Sequence, residues 1–341
     1  MIRLACDYQE GCHPKILEKL IQTNMESTVG YGFDPYCESA KAKIRQACQA
    51  PEADVFLLVG GTQTNATVIR SILRPCEGVI AVKSGHINGH EGGAIEAGGH
   101  KVLTIEAHDG KMDAQELDQY IKDTFAEDAW EHAVIPAMVY ISQATETGSV
   151  YTLAEMTAIS EVCRKHNMVL FVDGARLGYA LASEGCDMTL ADLARLTDVF
   201  YIGGTKVGAM FGEAVVFTNK TLTRNFFTIQ KQSGAVLAKG RMLGIQFDVL
   251  FTDNLYFEIS RHAVAMAMKL KEALKAKGYQ FYVESPSNQQ FVILDNTQLA
   301  KLEEKVAVSR WAKVDDNHTA VRFCTSWATS EATIEKVIEL L

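Results

Sequence analysis

The sequence lacks the features that would direct it to nucleic acid, to a membrane or to disorder. It has no basic stripe, because its 33 Lys and Arg residues are outnumbered by 42 scattered Asp and Glu residues, so we expect no nucleic acid partner. It has no uncharged run long enough to cross a bilayer, so we expect no membrane partner. With six prolines and 48% hydrophobic residues, it is typical of an ordered globular protein.

Cysteine spacing gives a second set of exclusions. The eight cysteines lie far apart, with no CxxC pair and no finger-like Cys/His spacing, so we expect no metal site and mostly buried, reduced thiols. The N-terminal segment carries Asp7 and Glu10 where a signal peptide needs an apolar stretch. Both observations favour the cytoplasm.

The pattern of apolar runs predicts an α/β fold. Continuous runs bounded by Gly, Asp or Asn are typical of strands that are covered on both faces. Such runs occur at 54–61, 78–82, 101–105, 133–142, 168–175, 198–204 and 213–218. The helical patterns at 152–167 and 189–197 each begin with Thr followed three residues later by an acid, as helix N termini prefer. We therefore predict a mostly parallel, doubly wound, seven-stranded sheet.

The pattern changes after about residue 220, and the length of the chain favours two domains. A long helical stretch over roughly 230–277 is followed by shorter apolar runs and a terminal helical pattern. The apolar runs lie at 279–283, 289–295 and 320–327. We expect a large domain of residues 1–245 and a small α+β domain of residues 246–341, with the boundary inside a helix.

One lysine stands in surroundings poorly suited to a free ammonium group. Lys206 lies in "YIGGTKVGAMFG" (201–212), with no acidic residue within five positions. Asp173 ends the run "VLFVD", and "GGTQTN" (60–65) follows the first strand. Because ligands gather beyond the carboxyl ends of parallel strands, we expect these three segments to converge on one site.

The three segments together indicate one cofactor, pyridoxal phosphate. A lysine amine can form an imine, a buried carboxylate can pair with a protonated pyridine nitrogen, and a Gly/Thr loop at a helix N terminus can bind a phosphate. The ordinary alternatives are that Lys206 extends to solvent from a strand end and that Asp173 caps a helix.

Several motifs support this interpretation. They are "GGTQTN", similar to "SGTMGN"; "HINGHEGGAIEAGGHKV" (86–102); "VDGARLGYA" (172–180); "TKVGAMFGEAVVF" (205–217); and "VRFCTSW" (321–327), similar to "LRLVTH". On these motifs the chain resembles the threonine aldolases over nearly its full length. The resemblance implies fold type I of the enzymes that depend on pyridoxal phosphate, with a large domain and a small C-terminal domain.

The resemblance also implies the site residues. The catalytic residues would be Lys206, which forms the imine, Asp173, which pairs with the pyridine nitrogen, and His86, which stacks on the ring or acts as a base. The cofactor would contact Gly61, Thr62, His86, Asp173, Arg176, Thr205 and Lys206, and the substrate would contact Arg176, Arg322 and Gln143. The family commonly has a second histidine in an "ENTHN" segment, and here "ISQATETGSV" puts Gln143 or a near neighbour in its place. Arg176 could equally form a structural ion pair.

The activity implied is cleavage of a β-hydroxy-α-amino acid, L-threonine or L-allo-threonine, to glycine and an aldehyde. A β-eliminating lyase or an aminotransferase that uses the same cofactor stays open, as does a binding protein without catalysis. The partner would be a small amino acid. The resemblance further implies a homodimer or homotetramer.

Overall fold

A computed structural model describes residues 1–341, in which strands and helices alternate along the first two thirds of the chain. The strands are β1 (Ile2–Arg3), β2 (Asp54–Leu58), β3 (Glu77–Val82), β4 (Val102–Ile105), β5 (Ile135–Ser142), β6 (Val169–Asp173), β7 (Val199–Gly203), β8 (Glu213–Phe217), β9 (Phe281–Val283), β10 (Gln289–Asp295), β11 (Val306–Ala307), β12 (Ser309–Lys313) and β13 (His318–Cys324). The helices are α1 (Pro14–Thr23), α2 (Pro35–Ala47), α3 (Gly61–Ile72), α4 (His86–Gly89), α5 (Ala94–Ala97), α6 (Ala114–Ala126), α7 (Leu153–Lys165), α8 (Leu177–Leu181), α9 (Leu190–Leu196), α10 (Phe226–Gln232), α11 (Arg241–Leu250), α12 (Leu255–Ala276), α13 (Asn296–Glu303) and α14 (Glu331–Leu340). None of these helices combines the length and the apolar character that crossing a membrane requires.

Strands β2 to β8 form one sheet in the order β2-β8-β7-β6-β5-β3-β4. Only β8 runs against its neighbours, pairing antiparallel with β2 and with β7, so the predicted mostly parallel seven-stranded sheet is confirmed. Alternate residues of its strands enter two hydrophobic clusters: Val172 and Ile202 lie in one, and Phe171 and Tyr201 lie in the other. The sheet is therefore covered on both faces, which is why its strands are continuous apolar runs.

Helices α7 and α9, which connect β5 to β6 and β6 to β7, begin where their threonines predict. The Thr152 hydroxyl accepts from the Glu155 N–H, and the Glu155 carboxylate accepts from the Thr152 N–H. Thr189 and Asp192 repeat this arrangement at α9. Each cap satisfies backbone donors that the first turn leaves free and stabilises its helix by about 1 kcal/mol.

The prediction of one continuous helical stretch over 230–277 is wrong. The stretch consists of α10, α11 and α12, separated by turns. Gly234 takes the left-handed conformation with φ 66°, and Asp253 and Asn254 do so with φ 50° and 59°. Glycine reaches this region freely and Asp or Asn reach it at little cost, so these residues end one helix before the next begins.

The C-terminal part contains a four-stranded antiparallel sheet in the order β12-β13-β10-β9, of which β12 was not predicted. The N-terminal strand β1 pairs in parallel with β11, so Leu4 joins the hydrophobic cluster of this part. Residue 245 lies inside α11, whose Leu243, Phe247 and Leu250 pack in the large-domain core. Within α12, Val264 still belongs to that core but Leu270 belongs to the smaller one. We propose that the two domains divide inside α12 rather than at residue 245.

Candidate active site

A cavity of about 350 Å³ opens beyond the carboxyl ends of β6 and β7. It adjoins an outer chamber of about 610 Å³, and Tyr8, His86 and Glu146 are among the residues that line both. Seven of the nine predicted site residues line the inner cavity: Gly61, Thr62, His86, Asp173, Arg176, Thr205 and Lys206. Arg322 lines the outer chamber. The expected convergence of three separate segments is therefore what the structure shows.

Asp173 ends β6 and is 4% exposed. Its carboxylate accepts from Tyr140 Oη at 2.6 Å, from Asn65 Nδ2 at 2.9 Å, from the Ala175 N–H at 3.0 Å and from the Tyr201 hydroxyl. Burial raises the pKa of Asp173, but the positive charge of His86 and these hydrogen bonds outweigh burial and lower the pKa below its usual value. The group thus stays ionised although it is buried. Asp173 does not cap α8, whose first turn is preceded by Arg176.

His86 is tied to Asp173 through two other side chains. Its Nδ1 lies 2.7 Å from Glu91 Oε1, and Asn65 Nδ2 donates both to that oxygen, at 2.7 Å, and to Asp173. Burial would lower the pKa of His86, but the hydrogen bond to Glu91 and the negative charges of Asp173 and Glu91 raise it overall. An imidazole whose Nδ1 is held by Glu91 suits a ring that stacks on a cofactor better than it suits a free base.

Lys206 projects into the same cavity, with its Nζ 5.9 Å from the centre of the Tyr8 ring. Burial lowers the pKa of Lys206, and the positive charge of Arg176 lowers it further, against the opposing effect of Asp7 and Asp173. A lowered pKa leaves more of the amine unprotonated at neutral pH, which is the form that attacks a carbonyl carbon.

The first turn of α3 forms an anion cradle at the inner end of the cavity. No side chain caps this helix, so the N–H groups of its first turn are free, and Gly61 and Thr62 line the cavity there. A Cβ at position 61 would lie only 3.3 Å from the Tyr201 hydroxyl oxygen, so glycine at this position lets the helix N terminus and Tyr201 lie close together. Free backbone donors and the helix dipole favour a phosphate.

Glu213 is a cavity residue that the sequence did not point to. It begins β8, and because β8 is antiparallel its first residue lies at the edge where the parallel strands end. Its Oε2 accepts from the Gly204 N–H at 3.2 Å. The neighbouring Thr205 donates its N–H to the Gly212 carbonyl and accepts the Gly212 N–H on its hydroxyl oxygen, each at 3.0 Å. Burial raises the pKa of Glu213 to about 8, so the side chain is protonated at neutral pH.

We expect Glu213→Gln to gain stability relative to the wild type as the pH rises from 5 to 8. A carboxyl group whose pKa is raised on folding stabilises the fold fully below its ordinary value of 4.5, and loses that contribution as the pH climbs to about 8. Glutamine does not titrate. Thermal unfolding should show the melting temperatures diverging by at least about 2 °C over this range; parallel curves would contradict a raised pKa.

Arg176 is held by a buried ion pair rather than left free for a substrate. Its Nε and Nη2 donate to the two Asp7 carboxylate oxygens at 2.7 and 2.9 Å, and Asn288 Nδ2 donates to Asp7 at 3.0 Å. Burial would raise the pKa of Asp7, but the charges of Arg176 and Lys206 lower it far below its usual value. The structural ion pair that the sequence left open is therefore present at the cavity wall.

Asp7→Asn should cost about 3 kcal/mol of stability at neutral pH, because it leaves the buried Arg176 without a countercharge. A lowered pKa stabilises the fold above the ordinary value of 3.8 and ceases to do so as the pH falls. The difference from the wild type, measured by urea unfolding, should therefore shrink below pH 4. Asp316→Asn is the matched control, since the 93%-exposed Asp316 pairs with Lys313 at the surface and should cost under about 1 kcal/mol. Equal losses in the two variants would refute a buried pair.

Arg322 presents an unpaired charge to the outer chamber. Its Nη1 donates to Gln289 Oε1 and its Nη2 to the Ala5 carbonyl, each at 3.0 Å, while Nε has no partner. The guanidinium lies 5.4 Å above the Trp311 ring. These neutral contacts fix its position without neutralising it, so it can receive a carboxylate.

Gln143 is the predicted residue that the structure does not bring to the cavity. It is fully buried, and its amide exchanges hydrogen bonds with the backbone of Tyr151 at 2.9 and 3.1 Å. Three residues further on, Glu146 lines both the inner cavity and the outer chamber. The sequence offered the segment but no signal for which of its side chains turns inward.

The residues present fit pyridoxal phosphate. Free backbone donors at α3 match its phosphate, the ionised Asp173 matches a protonated pyridine nitrogen, and the amine of Lys206 matches its aldehyde carbon. His86 lines the same cavity.

Comparisons with known proteins agree with this geometry. The model of the beta-eliminating lyase family matches residues 4–297. A low specificity L-threonine aldolase of Pseudomonas sp. (strain NCIMB 10558) is 28% identical over 339 residues, which cover 98% of this chain and 95% of that protein. The structure of a threonine aldolase from Leishmania major is 45% identical, covers 100% of this chain and 98% of its own, and superposes with a TM-score of 0.97.

More distant structures share the fold alone. An aspartate aminotransferase of Thermus thermophilus is 17% identical, with a TM-score of 0.72 over 100% of this chain and 90% of its own. The predicted fold type I and the predicted cofactor, pyridoxal phosphate, are confirmed. The chain belongs to the beta-eliminating lyase family and, within it, to the threonine aldolases.

Proposed function

We propose that this protein cleaves a β-hydroxy-α-amino acid, L-threonine or L-allo-threonine, to glycine and an aldehyde with the help of pyridoxal phosphate. The observation that carries the proposal is the meeting of the Lys206 amine, the ionised Asp173 and the free N terminus of α3 in one cavity. The relatives described above are threonine aldolases, which supports this substrate class.

Each residue has a distinct part in the proposed reaction. Gly61 and Thr62 would hold the phosphate, Lys206 would hold the aldehyde carbon, and Asp173 would keep the pyridine nitrogen protonated. The bound cofactor supplies an electron sink for the bond that breaks at Cα. His86, anchored by Glu91, would stack on the cofactor ring.

Arg322 would bind the substrate carboxylate by its planar fork and so set which Cα bond breaks. We expect Arg322→Ala to raise KM for L-threonine by about 10- to 100-fold, the value of one charge-assisted contact. Arg310→Ala should raise KM far less, because the Arg310 charge is already paired with Glu303 at 2.6 Å. Steady-state kinetics of both variants would measure this difference, and equal effects would contradict it.

The direct test of function is product analysis. Purified protein with L-threonine should release glycine and acetaldehyde in equal amounts, and L-allo-threonine and phenylserine tested beside it would give the preferred substrate. Release of ammonia or a keto acid instead would support the β-eliminating lyase or the aminotransferase and would contradict the proposed aldol cleavage.

We further propose a homodimer or homotetramer in the cytoplasm. Three aromatic side chains, Tyr31, Phe33 and Phe227, are 47%, 59% and 38% exposed, and the Phe33 and Phe227 rings lie 5.4 Å apart. An exposed aromatic patch of this kind is typical of an interface. All eight cysteines are free, as expected of a reducing compartment. Light scattering after size exclusion should give at least twice the 37.5 kDa chain mass, and an active monomer would contradict the proposal.

A further inference from the structure

Glu146 lines the site, but none of the roles described above involves it. It follows β5 by four residues and lies at the junction between the inner cavity and the outer chamber. Ser142 Oγ and the His86 N–H both donate to its Oε1, at 2.7 and 3.1 Å. Two donors on one oxygen fix the carboxyl group and leave Oε2 free to meet a ligand.

The other acidic groups of the site are engaged elsewhere. Asp173 accepts four hydrogen bonds, Asp7 is paired with Arg176, and Glu91 lies behind His86. Glu213 lines the inner cavity but not the outer chamber. Glu146 is therefore the only carboxyl group on the wall of the outer chamber. Arg322, the proposed binding residue for the substrate carboxylate, lines the same chamber.

We propose that Glu146 is a catalytic residue that binds the β-hydroxyl group of the substrate and accepts its proton, an inference that rests on the function proposed above. The O–H bond breaks, its proton passes to Glu146 Oε2, and the oxygen forms the C=O bond of the aldehyde. The Cα–Cβ electron pair stays with the glycine half, which takes one proton from solvent. Glu146 returns its proton to solvent, so atoms, charge and electrons balance.

The electrostatics of the site suit this role. Burial raises the pKa of Glu146, and the negative charge of Asp173 adds to this, against the opposing hydrogen bond from Ser142 and the charge of His86. A raised pKa makes the carboxylate a stronger base than one in water. His86 is a weaker candidate, because its Nδ1 is already hydrogen-bonded to Glu91 at 2.7 Å.

Glu146→Gln separates this role from a merely structural one. It keeps the shape and the hydrogen-bond acceptor for Ser142 and His86 but cannot take a proton. The kcat for L-threonine cleavage should fall by at least about 100-fold. Exchange of the glycine α-hydrogen in D2O, followed by NMR, involves no hydroxyl group and should stay within about threefold of the wild type. The absorbance spectrum of the bound cofactor should not change. Glu335→Gln, in the C-terminal helix where Glu335 pairs only with Lys269, is the matched control.

Each outcome decides the question. Unchanged cleavage in Glu146→Gln, or an equal loss of cleavage and of glycine exchange, would overturn the inference. If the glutamine variant fails to fold, Glu146→Asp replaces it: a shorter carboxyl group should keep more cleavage than Glu146→Ala, and equal activities would overturn the inference. Failure of the proposed function looks different, since the wild type itself would then release no acetaldehyde; in that case the inference falls with it.

Discussion

Lys206→Ala should abolish the covalent attachment of pyridoxal phosphate and lower turnover of L-threonine by at least about 1000-fold. The cavity contains no other lysine, so no second amine can replace it. Binding of the cofactor should weaken but persist, because the free N–H groups at α3 and the carboxylate of Asp173 do not depend on Lys206. The absorbance spectrum should shift to that of the free aldehyde form of the cofactor.

The control for this variant is Lys301→Ala, on the exposed face of α13. It should retain the wild-type spectrum and turnover. A Lys206→Ala protein that keeps the wild-type absorbance band would show that the cofactor is attached elsewhere, and the assignment of the site would then be wrong.

Asp173→Asn should lower kcat by about 100- to 1000-fold while the protein stays folded. Asparagine is similar in size and its single amide oxygen can still accept from the Tyr201 hydroxyl, but it carries no charge to keep a pyridine nitrogen protonated. The electron sink is then weaker in the transition state, so the loss should appear in kcat more than in KM.

Asp198→Asn is a matched control in the same sheet. Asp198 lies at the opposite edge, just before β7, where its carboxylate accepts from the Leu170 N–H at 2.9 Å and from Asn219 Nδ2 at 3.0 Å. Its substitution should lower the melting temperature and leave kcat close to the wild-type value. A similar loss of kcat in both variants would mean that Asp173 acts only through stability.

The sheet and the ends of its strands could be predicted because burial on both faces leaves a direct mark in the sequence. Each of the seven apolar runs overlaps one strand, and the glycines and acids that end the runs place Asp173 and Lys206 at the same edge. Two threonine caps fixed where α7 and α9 begin. The sheet, the starts of these two helices and the positions of Asp173 and Lys206 could therefore be predicted from local sequence patterns.

The remaining features depend on contacts between distant parts of the chain. Asp7 meets Arg176 across 169 positions, and nothing local to either residue shows that they pair. Glu213 reaches the cavity only because β8 is antiparallel, which a run of apolar residues does not reveal. The choice between Gln143 and Glu146 depends on how one loop turns after β5. The break between α11 and α12 falls at Asp253 and Asn254, residue types that allow the left-handed conformation but do not require it.

Peptide mapping after chemical reduction shows directly whether pyridoxal phosphate is attached to Lys206. Protein saturated with pyridoxal phosphate is treated with borohydride, digested and examined by mass spectrometry. We expect a pyridoxyl-phosphate adduct on the peptide that contains Lys206 and on no other. An adduct on a different lysine, or none on a fully loaded protein, would contradict it.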